Sequence, residues 1–456
     1  MLFYKKTKAF LCVIVVVIVY IVFCTFQFPE GIDTFKPSVL ASDSKENRIP
    51  NVEESTLPKG SETEIDPSPS FNPDSGRIEL LDYAFNHTVV SEEVVKSINF
   101  LNEHHEILNS DIYGGPEAVS VVFVVQVHDR AEYLKILIES LQKVKGIDKA
   151  LIIFSHDIYY PPVNNLIMNI KFCQVIQIFY PYPIQIFHDR FPGTDPNDCE
   201  EKINKKKAEE IKCNNWDSPD SYGNYRNAHI TQIKHHFWWK MNYVFDGILD
   251  RYNISTNVIL LEEDHMVAPD VLHVLDQVIE VRNKLCVECN MIVLGIFMRN
   301  YNNYQRDIFK IGKQTWFGKH NTGIVLNREL WDTFRSCFKM FCEFDDYNWD
   351  WSMIQISYKC LSKKMMGIYT KSPRVLHIGD CGVHTHKCKS QNTANKIKDI
   401  FQRVGSNFFP SKMELTESFA RVPKISKPNG GWGDKRDHEL CLLNTFPVNA
   451  SIWKFS

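Results

Sequence analysis

Residues Val121 to Asp129 read VVFVVQVHD, and residues 131–144, which follow almost at once, read AEYLKILIESLQKV. The first stretch is a continuous apolar run, which is typical of a strand buried on both faces, and the second has the spacing of an amphipathic helix. Further apolar runs follow from Ala150 to Asp157 (ALIIFSHD) and from Val175 to Tyr182 (VIQIFYPY). Strands that alternate with helices predict an α/β fold with a mostly parallel sheet flanked by helices.

The pattern continues towards the middle of the chain. It predicts strands at Val258 to Leu261 and Met291 to Phe297, and helices at Ile230 to Leu249 and Pro269 to Lys284. In open sheets of this kind, ligands bind beyond the carboxyl ends of the strands. The polar residues directly after each apolar run are therefore the first candidates for a functional site.

The N-terminal residues predict a membrane anchor. Residues 9–28 (AFLCVIVVVIVYIVFCTFQF) match the roughly 20 apolar residues that a helix needs to cross a bilayer. Lysines occur within residues 1–8, and the next basic residue is Lys36. This asymmetry predicts that 1–8 is a cytoplasmic tail and that the rest of the chain is lumenal. A cleaved signal peptide is the alternative, but its apolar stretch is normally shorter.

Composition separates a stem from a folded head. The chain from about Pro29 to Gly76 is rich in Ser, Glu, Asp and Pro and has few large apolar residues. Such a segment buries too little apolar surface to offset the entropy of ordering. We therefore expect a stem over 29–95 and a catalytic domain over 96–456. The 456 residues carry 52 basic and 55 acidic side chains, so no basic field favours a nucleic acid partner.

Cysteine content favours disulfide bonds. Two of the thirteen cysteines lie inside the predicted anchor, which leaves eleven in an oxidising compartment. Cys286 and Cys289 form a CVEC motif, but no second CxxC with zinc-finger spacing accompanies it, so a disulfide is expected there. Sequons at Asn86, Asn253 and Asn449 are compatible with glycosylation in the lumen.

The stretch VILLEEDHMVAPD places three acids, Glu262, Glu263 and Asp264, directly after a predicted buried strand. Carboxylates this close raise one another's pKa, and a divalent cation keeps them ionised. A hard cation such as Mn²⁺ or Mg²⁺ binds carboxylate oxygens and leaves positions free for phosphate oxygens. The triplet therefore indicates a metal site suited to a nucleotide-sugar donor, although acidic triplets also occur on ordinary loops.

Other polar residues admit two interpretations. Gln126 to Arg130 and Asp157 end the first two strands and can bind a diphosphate or ribose, or can merely cap helices. No GxGxxG follows the first strand, so a dinucleotide cofactor is disfavoured. Asp350 in FDDYNWDWS lies between two tryptophans, and a carboxylate beside Trp can have a raised pKa and serve as a general base. His377 lies in RVLHIGDCG. From the sequence alone, a helix-face Asp and a core His explain these two residues slightly better.

Taken together, these stretches resemble the N-acetylglucosaminyltransferase II family of GT-A glycosyltransferases. The resemblance covers nearly the whole head, in order. The matching blocks are VVQVHDRAEYL, GIDKALIIFSHD, FPGTDPNDC, QIKHHFWWK, LEEDHMVAPD, FCEFDDYNWDWS, HIGDCG and NGGWGDKRDHELC. The resemblance implies a GT-A fold, a UDP-N-acetylglucosamine (UDP-GlcNAc) donor, Mn²⁺, and inverting transfer to the 2-hydroxyl of the α1,6-arm mannose of N-glycans.

The resemblance also assigns roles to residues. It implies that Asp264 and His377 bind Mn²⁺, that Glu262 and Glu263 support them, and that Asp350 is the catalytic base. The donor contacts that it implies are Gln126, Val127, His128, Asp129, Arg130, Asp157, Gln232, Ile233, Lys234, His235 and His236. The loop YNNYQRD departs from the family pattern, so no donor contact is carried into it.

The remaining expectations concern disulfide pairing, the location of the protein in the cell and alternative functions. The disulfides implied by resemblance are Cys199 with Cys213, Cys286 with Cys289, Cys337 with Cys360, Cys342 with Cys441 and Cys381 with Cys388, leaving Cys173 free. The family's layout implies a single-pass type II protein of the Golgi membrane, with a homodimer as one candidate assembly. The rivals are a β1,2-N-acetylglucosaminyltransferase for another mannose acceptor and an inactive membrane-anchored glycan-binding protein.

Overall fold

The structure is a computed structural model that describes residues 71–72, 77–78, 92–298, 300–318, 320–379, 390–417 and 427–448. All of these belong to one unit of the chain, Asp66–Ser456. The predicted anchor, most of the predicted stem, and the sequons at Asn86 and Asn449 lie outside the described residues. None of the helices described is long and apolar enough to span a bilayer.

The strands fall into one large sheet and two small ones. They are β1 Phe71–Asn72, β2 Arg77–Ile78, β3 Val121–Val127, β4 Ala150–His156, β5 Gln174–Phe179, β6 Val258–Glu262, β7 His265–Val267, β8 Met291–Gly295, β9 Lys310–Thr315, β10 Thr322–Leu326, β11 Met366–Thr370, β12 Val375–His377 and β13 Glu414–Glu417. The nine-stranded sheet has the order β13-β9-β11-β8-β10-β6-β3-β4-β5. β1 pairs with β2, and β7 pairs with β12, both antiparallel.

The helices cover this sheet. They are α1 Glu92–His104, α2 Ser110–Tyr113, α3 Ala131–Leu141, α4 Pro161–Met168, α5 Lys205–Ile211, α6 Ala228–Tyr243, α7 Val271–Leu285, α8 Arg328–Arg335, α9 Phe338–Glu343, α10 Trp349–Lys359, α11 Ser390–Val404 and α12 Lys435–Leu443. A π-helical segment, Val244–Leu249, continues α6. The strands β1 and β2 and the start of α1 fall within the range predicted as stem.

The predicted α/β class is confirmed, with an antiparallel insertion that the sequence pattern does not reveal. Strands β6, β3, β4 and β5 are parallel, as their continuous apolar runs predict. Strand β10 runs antiparallel to both of its neighbours, β6 and β8, and β11 runs antiparallel to β9. Strands β6, β3, β4 and β5 are therefore the longest run of parallel neighbours, and β8 with β11 and β9 with β13 are two further parallel pairs.

Two hydrophobic cores lie on opposite faces of the sheet because side chains alternate along each strand. In β3, Val122 and Val124 pack with the aromatic residues of α6, whereas Phe123 and Val125 pack with α3 and α7. Both faces of β3 are thus buried, which explains its unbroken apolar sequence.

Four of the five cysteine pairs implied by resemblance are disulfides in the structure. They are Cys199–Cys213, Cys286–Cys289, Cys337–Cys360 and Cys342–Cys441. Cys381 and Cys388 lie outside the described residues. Cys173 is free and buried. The bond between Cys342 and Cys441 joins α9 to α12, so it closes the C-terminal part of the head onto its middle.

Candidate active site

The carboxyl ends of β6, β3 and β4 bring the acidic triplet beside the residues that follow the first two strands. Gln126 pairs in register with Glu262 on one side and with Ser155 on the other. Since all three strands are parallel, the segments that follow them emerge at the same edge of the sheet. We call the residues Gln126–Arg130, Ser155–Asp157 and Glu262–Asp264 the sheet edge.

Glu263 fixes the loop after β3. Its buried carboxylate accepts hydrogen bonds from the backbone N–H of His128 (2.7 Å) and from Nε of Arg130 (2.5 Å). Burial raises the pKa of Glu263, and the positive charge of Arg130 opposes that rise. Arg130 also donates from Nη1 to Oδ2 of Asp264 at 2.8 Å. Glu263 therefore acts by orienting Arg130 and the loop.

Asp264 is the carboxylate best placed to bind a cation. Burial opposes its ionisation, but the hydrogen bond with His377 and the charge of Arg130 outweigh it and lower the pKa of Asp264. Its Oδ2 lies 3.3 Å from Nε2 of His377. Two ligand atoms about 2.1 Å from one octahedral cation lie about 3 Å apart, so this pair is spaced to share a metal.

A second histidine was missed by sequence reasoning. Glu262, Asp264 and His265 have ligand atoms that all lie within 4.8 Å of one another. Pairing of β7 with β12 sets His265 opposite His377. Nδ1 of His265 accepts from the backbone N–H of Glu262 at 3.1 Å, and its side chain is buried, whereas the His377 side chain is 36% exposed. His377 is the more accessible to a cation that must also contact a diphosphate.

A further observation shows that the candidate metal ligands fit a divalent cation. Oδ1 of Asp264 is buried, and none of the described residues forms a hydrogen bond with it. An unsatisfied buried carboxylate oxygen is costly, and a bound cation would satisfy it. Gly379 lies against the other oxygen, since a Cβ at that position would be 2.2 Å from Oδ2 of Asp264. Glycine leaves room for the carboxylate, which the HIGDCG motif alone did not reveal.

Asp157 organises the other end of the sheet edge. Its Oδ1 lies 2.5 Å from Nδ1 of His128, and its Oδ2 lies 3.4 Å from Nδ1 of His236. The charge of Asp157 raises the pKa of His128, so the pair carries both signs of charge. Nε2 of His236 lies 2.8 Å from the hydroxyl of Ser155. This polar group is suited to hydrogen bonding with a base or a ribose.

The segment Gln232 to His236 does not act as a unit. His236 contacts Asp157, and Gln232 accepts from the backbone N–H of Ile184 at 2.7 Å. Lys234 instead donates to backbone carbonyls of the loop before α10, and His235 bonds Asp437 at 2.9 Å.

The helical period explains this division. Positions 232, 236 and 240 share one face of α6, while positions 234 and 235 point elsewhere. Ile233 packs at the margin of a hydrophobic core. The i+4 spacing from His236 identifies Lys240, which sequence reasoning missed.

The remaining predicted donor contacts come from the end of β3. Val127 is fully buried in a hydrophobic core, so its side chain is turned away from a ligand. Asp129 is exposed in the loop that follows, near the His128 ring. Of the consecutive residues after the strand, His128 and Arg130 have the side chains that reach the acidic groups.

Asp350 lies in the first turn of α10. Burial raises its pKa to about 6, although the backbone N–H of Trp351 and Nδ2 of Asn321 (3.1 Å) donate to its two oxygens. The charge of the Glu262 carboxylate contributes to the same rise. A carboxylate with this pKa is suited to accepting a proton at neutral pH.

Packing fixes the helix that carries Asp350. The Trp349 ring stacks on Phe237 of α6, with ring centroids 4.1 Å apart. The fully buried Asp346 accepts from the backbone N–H groups of Asn348 and Asn429, both at 2.9 Å. The start of α10 is therefore held between α6 and the segment that precedes α12.

Comparison with known proteins identifies relatives of this chain. Residues 95–441 match the model of a family described as N-acetylglucosaminyltransferase II (MGAT2). The chain is 38% identical to the human alpha-1,6-mannosyl-glycoprotein 2-beta-N-acetylglucosaminyltransferase over 78% of this chain and 80% of the relative. The pig protein of that name is also 38% identical, over 78% and 79%. The Arabidopsis thaliana protein of that name is 31% identical over 74% and 78%.

The family match spans the sheet edge, α6, α10 and the greater part of α12, so it includes every residue assigned above to the site. The relatives from animals and from a plant carry one name. On the extent of the match and on the identity to these relatives, this chain belongs to the N-acetylglucosaminyltransferase II family.

Proposed function

We propose that this chain is an inverting glycosyltransferase that moves N-acetylglucosamine from UDP-GlcNAc to the 2-hydroxyl of the α1,6-arm mannose of N-glycans. The observation that carries the proposal is the pairing of two sites. Asp264 and His377, a carboxylate and a histidine suited to a cation, lie at the sheet edge. The half-buried carboxylate of Asp350 has a raised pKa, to which the charge of Glu262 at that edge contributes. A protein that only binds glycan needs neither group.

The metal site comprises Asp264 and His377, with Glu262 and Glu263 supporting the loop. Mn²⁺ is the cation we assign, and when bound it stabilises the negative charge that develops on the departing diphosphate. Arg130 adds a positive charge at the same edge and is held there by Glu263. The unpartnered Oδ1 of Asp264 is the atom that supports this assignment.

Asp350 is the base. Its carboxylate accepts the proton of the mannose 2-hydroxyl while that oxygen bonds to the anomeric carbon and the bond from that carbon to UDP breaks. The electron pair of the broken bond leaves with UDP. Attack from the face opposite UDP inverts the configuration. Asn321, which donates to Asp350, stabilises the ionised base before the reaction.

Donor recognition falls to the residues around Asp157. His128 is hydrogen-bonded to Asp157 and His236 to Ser155, and Asp157 lies 3.4 Å from His236, so the four residues form one polar group at the ends of β3 and β4. Such a group binds the polar atoms of a nucleoside. Arg130 lies between this group and Asp264, which suits contact with the diphosphate.

We further propose that the chain is a single-pass type II protein of the Golgi membrane with its catalytic domain in the lumen. The apolar run 9–28 and the lysines before it support this topology. Asn253, one of the three sequons, is exposed after the π-helical segment, which suits an acceptor of N-glycosylation. A homodimer is the assembly that we would test first by light scattering.

The deciding experiment is transfer to defined acceptors. The purified protein is incubated with UDP-GlcNAc, Mn²⁺ and mannose-core glycans that differ in which arm is free, and the products are identified by mass spectrometry and linkage analysis. A β1,2 product on the α1,6 arm supports the proposal. Product on another mannose supports the transferase with a different acceptor. Glycan binding without consumption of donor supports the inactive binding protein.

A further inference from the structure

Lys240 is a buried cation to which the proposed reaction assigns no role. It lies one helical turn after His236 on α6 and is 3% exposed. Its Nζ donates to Oε1 of Gln126 at 2.7 Å. Burial lowers the pKa of Lys240 to about 7, and the charges of Glu262 and Asp157 oppose that fall. A lysine is rarely buried this completely without a specific partner.

The contact restricts how Gln126 can be oriented. In its charged form the Lys240 amine has hydrogen-bond donors and no acceptor, and Gln126 turns its amide oxygen towards it. The NH₂ group is then turned away from Lys240. No described residue accepts a hydrogen bond from that NH₂ group. Without a charged donor at position 240, the amide could rotate and present its oxygen instead.

Gln126 lies where such a donor is useful. It is beside Ser155 in β4 and Glu262 in β6, within the sheet edge. Ser155 contacts His236, which in turn approaches Asp157. The amide is therefore next to the group that we assign to nucleoside recognition. An NH₂ group at this position needs a hydrogen-bond acceptor, and the oxygens of the nucleoside diphosphate are the acceptors that the proposed donor offers there.

We infer that Lys240 is a positioning residue that holds the Gln126 amide with its NH₂ group directed to an oxygen of the nucleoside diphosphate. This inference rests on the proposed function, since it takes the sheet edge to be the donor site. It goes beyond that proposal by giving the nucleotide contact of Gln126 a direction and a cause. A competing role for Lys240 is general charge compensation of Glu262 and Asp157, which would not require Gln126.

A double-mutant cycle separates these two roles. Lys240→Met, Gln126→Leu and the double variant are compared with the unmodified protein by KM for UDP-GlcNAc, kcat at saturating donor, and Kd for UDP measured by calorimetry with Mn²⁺. We expect each single variant to raise KM and Kd about 10-fold, which corresponds to about 1.4 kcal/mol. The double variant should be no weaker than Gln126→Leu alone. If the two losses multiply instead, Lys240 does not act through Gln126.

Conservative replacements of Lys240 add a second test. If Lys240 were merely structural, KM for the donor would not depend on whether the new side chain offers hydrogen-bond donors only. In Lys240→Arg the guanidinium also offers donors only, so KM should stay within about threefold of the original value. In Lys240→Gln the partner can offer either a donor or an acceptor, so an intermediate loss is expected. This variant keeps a polar group in the site and serves if Lys240→Met does not fold. An unchanged KM in Lys240→Gln would overturn the inference.

Lys234 provides a matched control. It is a second fully buried lysine of α6, and burial lowers its pKa to about 7, but its Nζ donates to the carbonyls of Phe344 and Asp346. Lys234→Met should change kcat through the loop before α10 and leave KM for the donor unchanged. An equal rise of donor KM in both lysine variants would contradict the inference. If the unmodified protein neither binds UDP nor transfers sugar, the proposed function fails instead.

Discussion

A carboxylate accepts a proton only when it is ionised, and Asp350 is the residue that we propose as the base. Replacing Asp350 with Asn keeps the size of the side chain and its place beside Asn321 but removes the proton acceptor. We expect kcat to fall at least about 1000-fold, at the upper part of the range for loss of a general base. Kd for UDP with Mn²⁺, measured by calorimetry, should change less than twofold. Near-normal transfer would show that Asp350 is not the base.

The pKa of Asp350 also predicts the pH dependence. Its folded-state pKa is raised to about 6, so below that pH the carboxyl is protonated and cannot accept a proton. The ratio kcat/KM should therefore fall about tenfold per pH unit below pH 6. Asn321 stabilises the ionised form, so Asn321→Leu should raise the pKa and move this limb to higher pH by up to about one unit. A shift to lower pH would contradict the arrangement.

At this scale the sequence predicted residue types better than roles. The triplet Glu262 to Asp264 stands out because three acids after an apolar run require an explanation. Asp350 and His377 do not, since the sequence cannot show that the pKa of the one is raised in the fold and that the other lies 3.3 Å from Asp264. Family resemblance supplied their roles. Lys240 was missed because its function depends on a contact with a residue 114 positions away.

Among the elements, the antiparallel ribbon of β7 and β12 leads into Gly379, which packs against Asp264 and gives a prediction. A methyl group at position 379 would lie 2.2 Å from Oδ2 of Asp264 and 3.0 Å from Cε1 of His377. Since real atoms cannot approach so closely, Asp264 or the backbone must move. We expect Gly379→Ala to raise the Mn²⁺ concentration needed for half-maximal activity at least about tenfold, a cost of about 1.4 kcal/mol.

Gly405→Ala is the control for that measurement, because a Cβ there meets nothing within 4 Å. Its Mn²⁺ requirement should equal that of the unmodified protein. The two variants are compared by activity against Mn²⁺ concentration and by thermal melting. If Gly379→Ala keeps the original Mn²⁺ dependence, the position of Asp264 is not what the cation requires.

Adjacent residues of one helix have different neighbours in the fold. The segment Gln232 to His236 was expected to contact the donor as a block, but α6 turns about 100° per residue and distributes its side chains to different neighbours. His236 reaches Asp157, whereas Lys234 and His235 support the loop before α10 and the C-terminal helix. Strand periodicity predicted β3, β4 and β6 well, but no local pattern predicted that β10 inserts antiparallel between β6 and β8.

At the scale of the whole molecule, the C-terminal segment packs on α6 and on the loop before α10, the helix that carries the proposed base. Asp437 of α12 accepts from Arg226 at 2.8 Å and bonds His235 of α6. Trp432 donates to the backbone carbonyl of Cys342, and Asn429 bonds Asp346. These contacts are between residues far apart in the chain, so a sequence alone does not reveal them. The support of Asp350 is therefore a property of the folded head as a whole.

The disulfide between Cys342 and Cys441 tests this closure, since it links residues 99 positions apart whereas Cys286 and Cys289 are 3 apart. In the loop-entropy model a bridge over about 100 residues contributes about 4.7 kcal/mol, and one over three residues about 1.6 kcal/mol. All four cysteines are buried, so paired Ala replacements remove similar packing. We expect Cys342→Ala with Cys441→Ala to lower the free energy of unfolding in urea about 2–4 kcal/mol more than the other pair, and to reduce transfer. Equal losses in the two double variants would show that the long-range bridge does not hold the C-terminal segment in place.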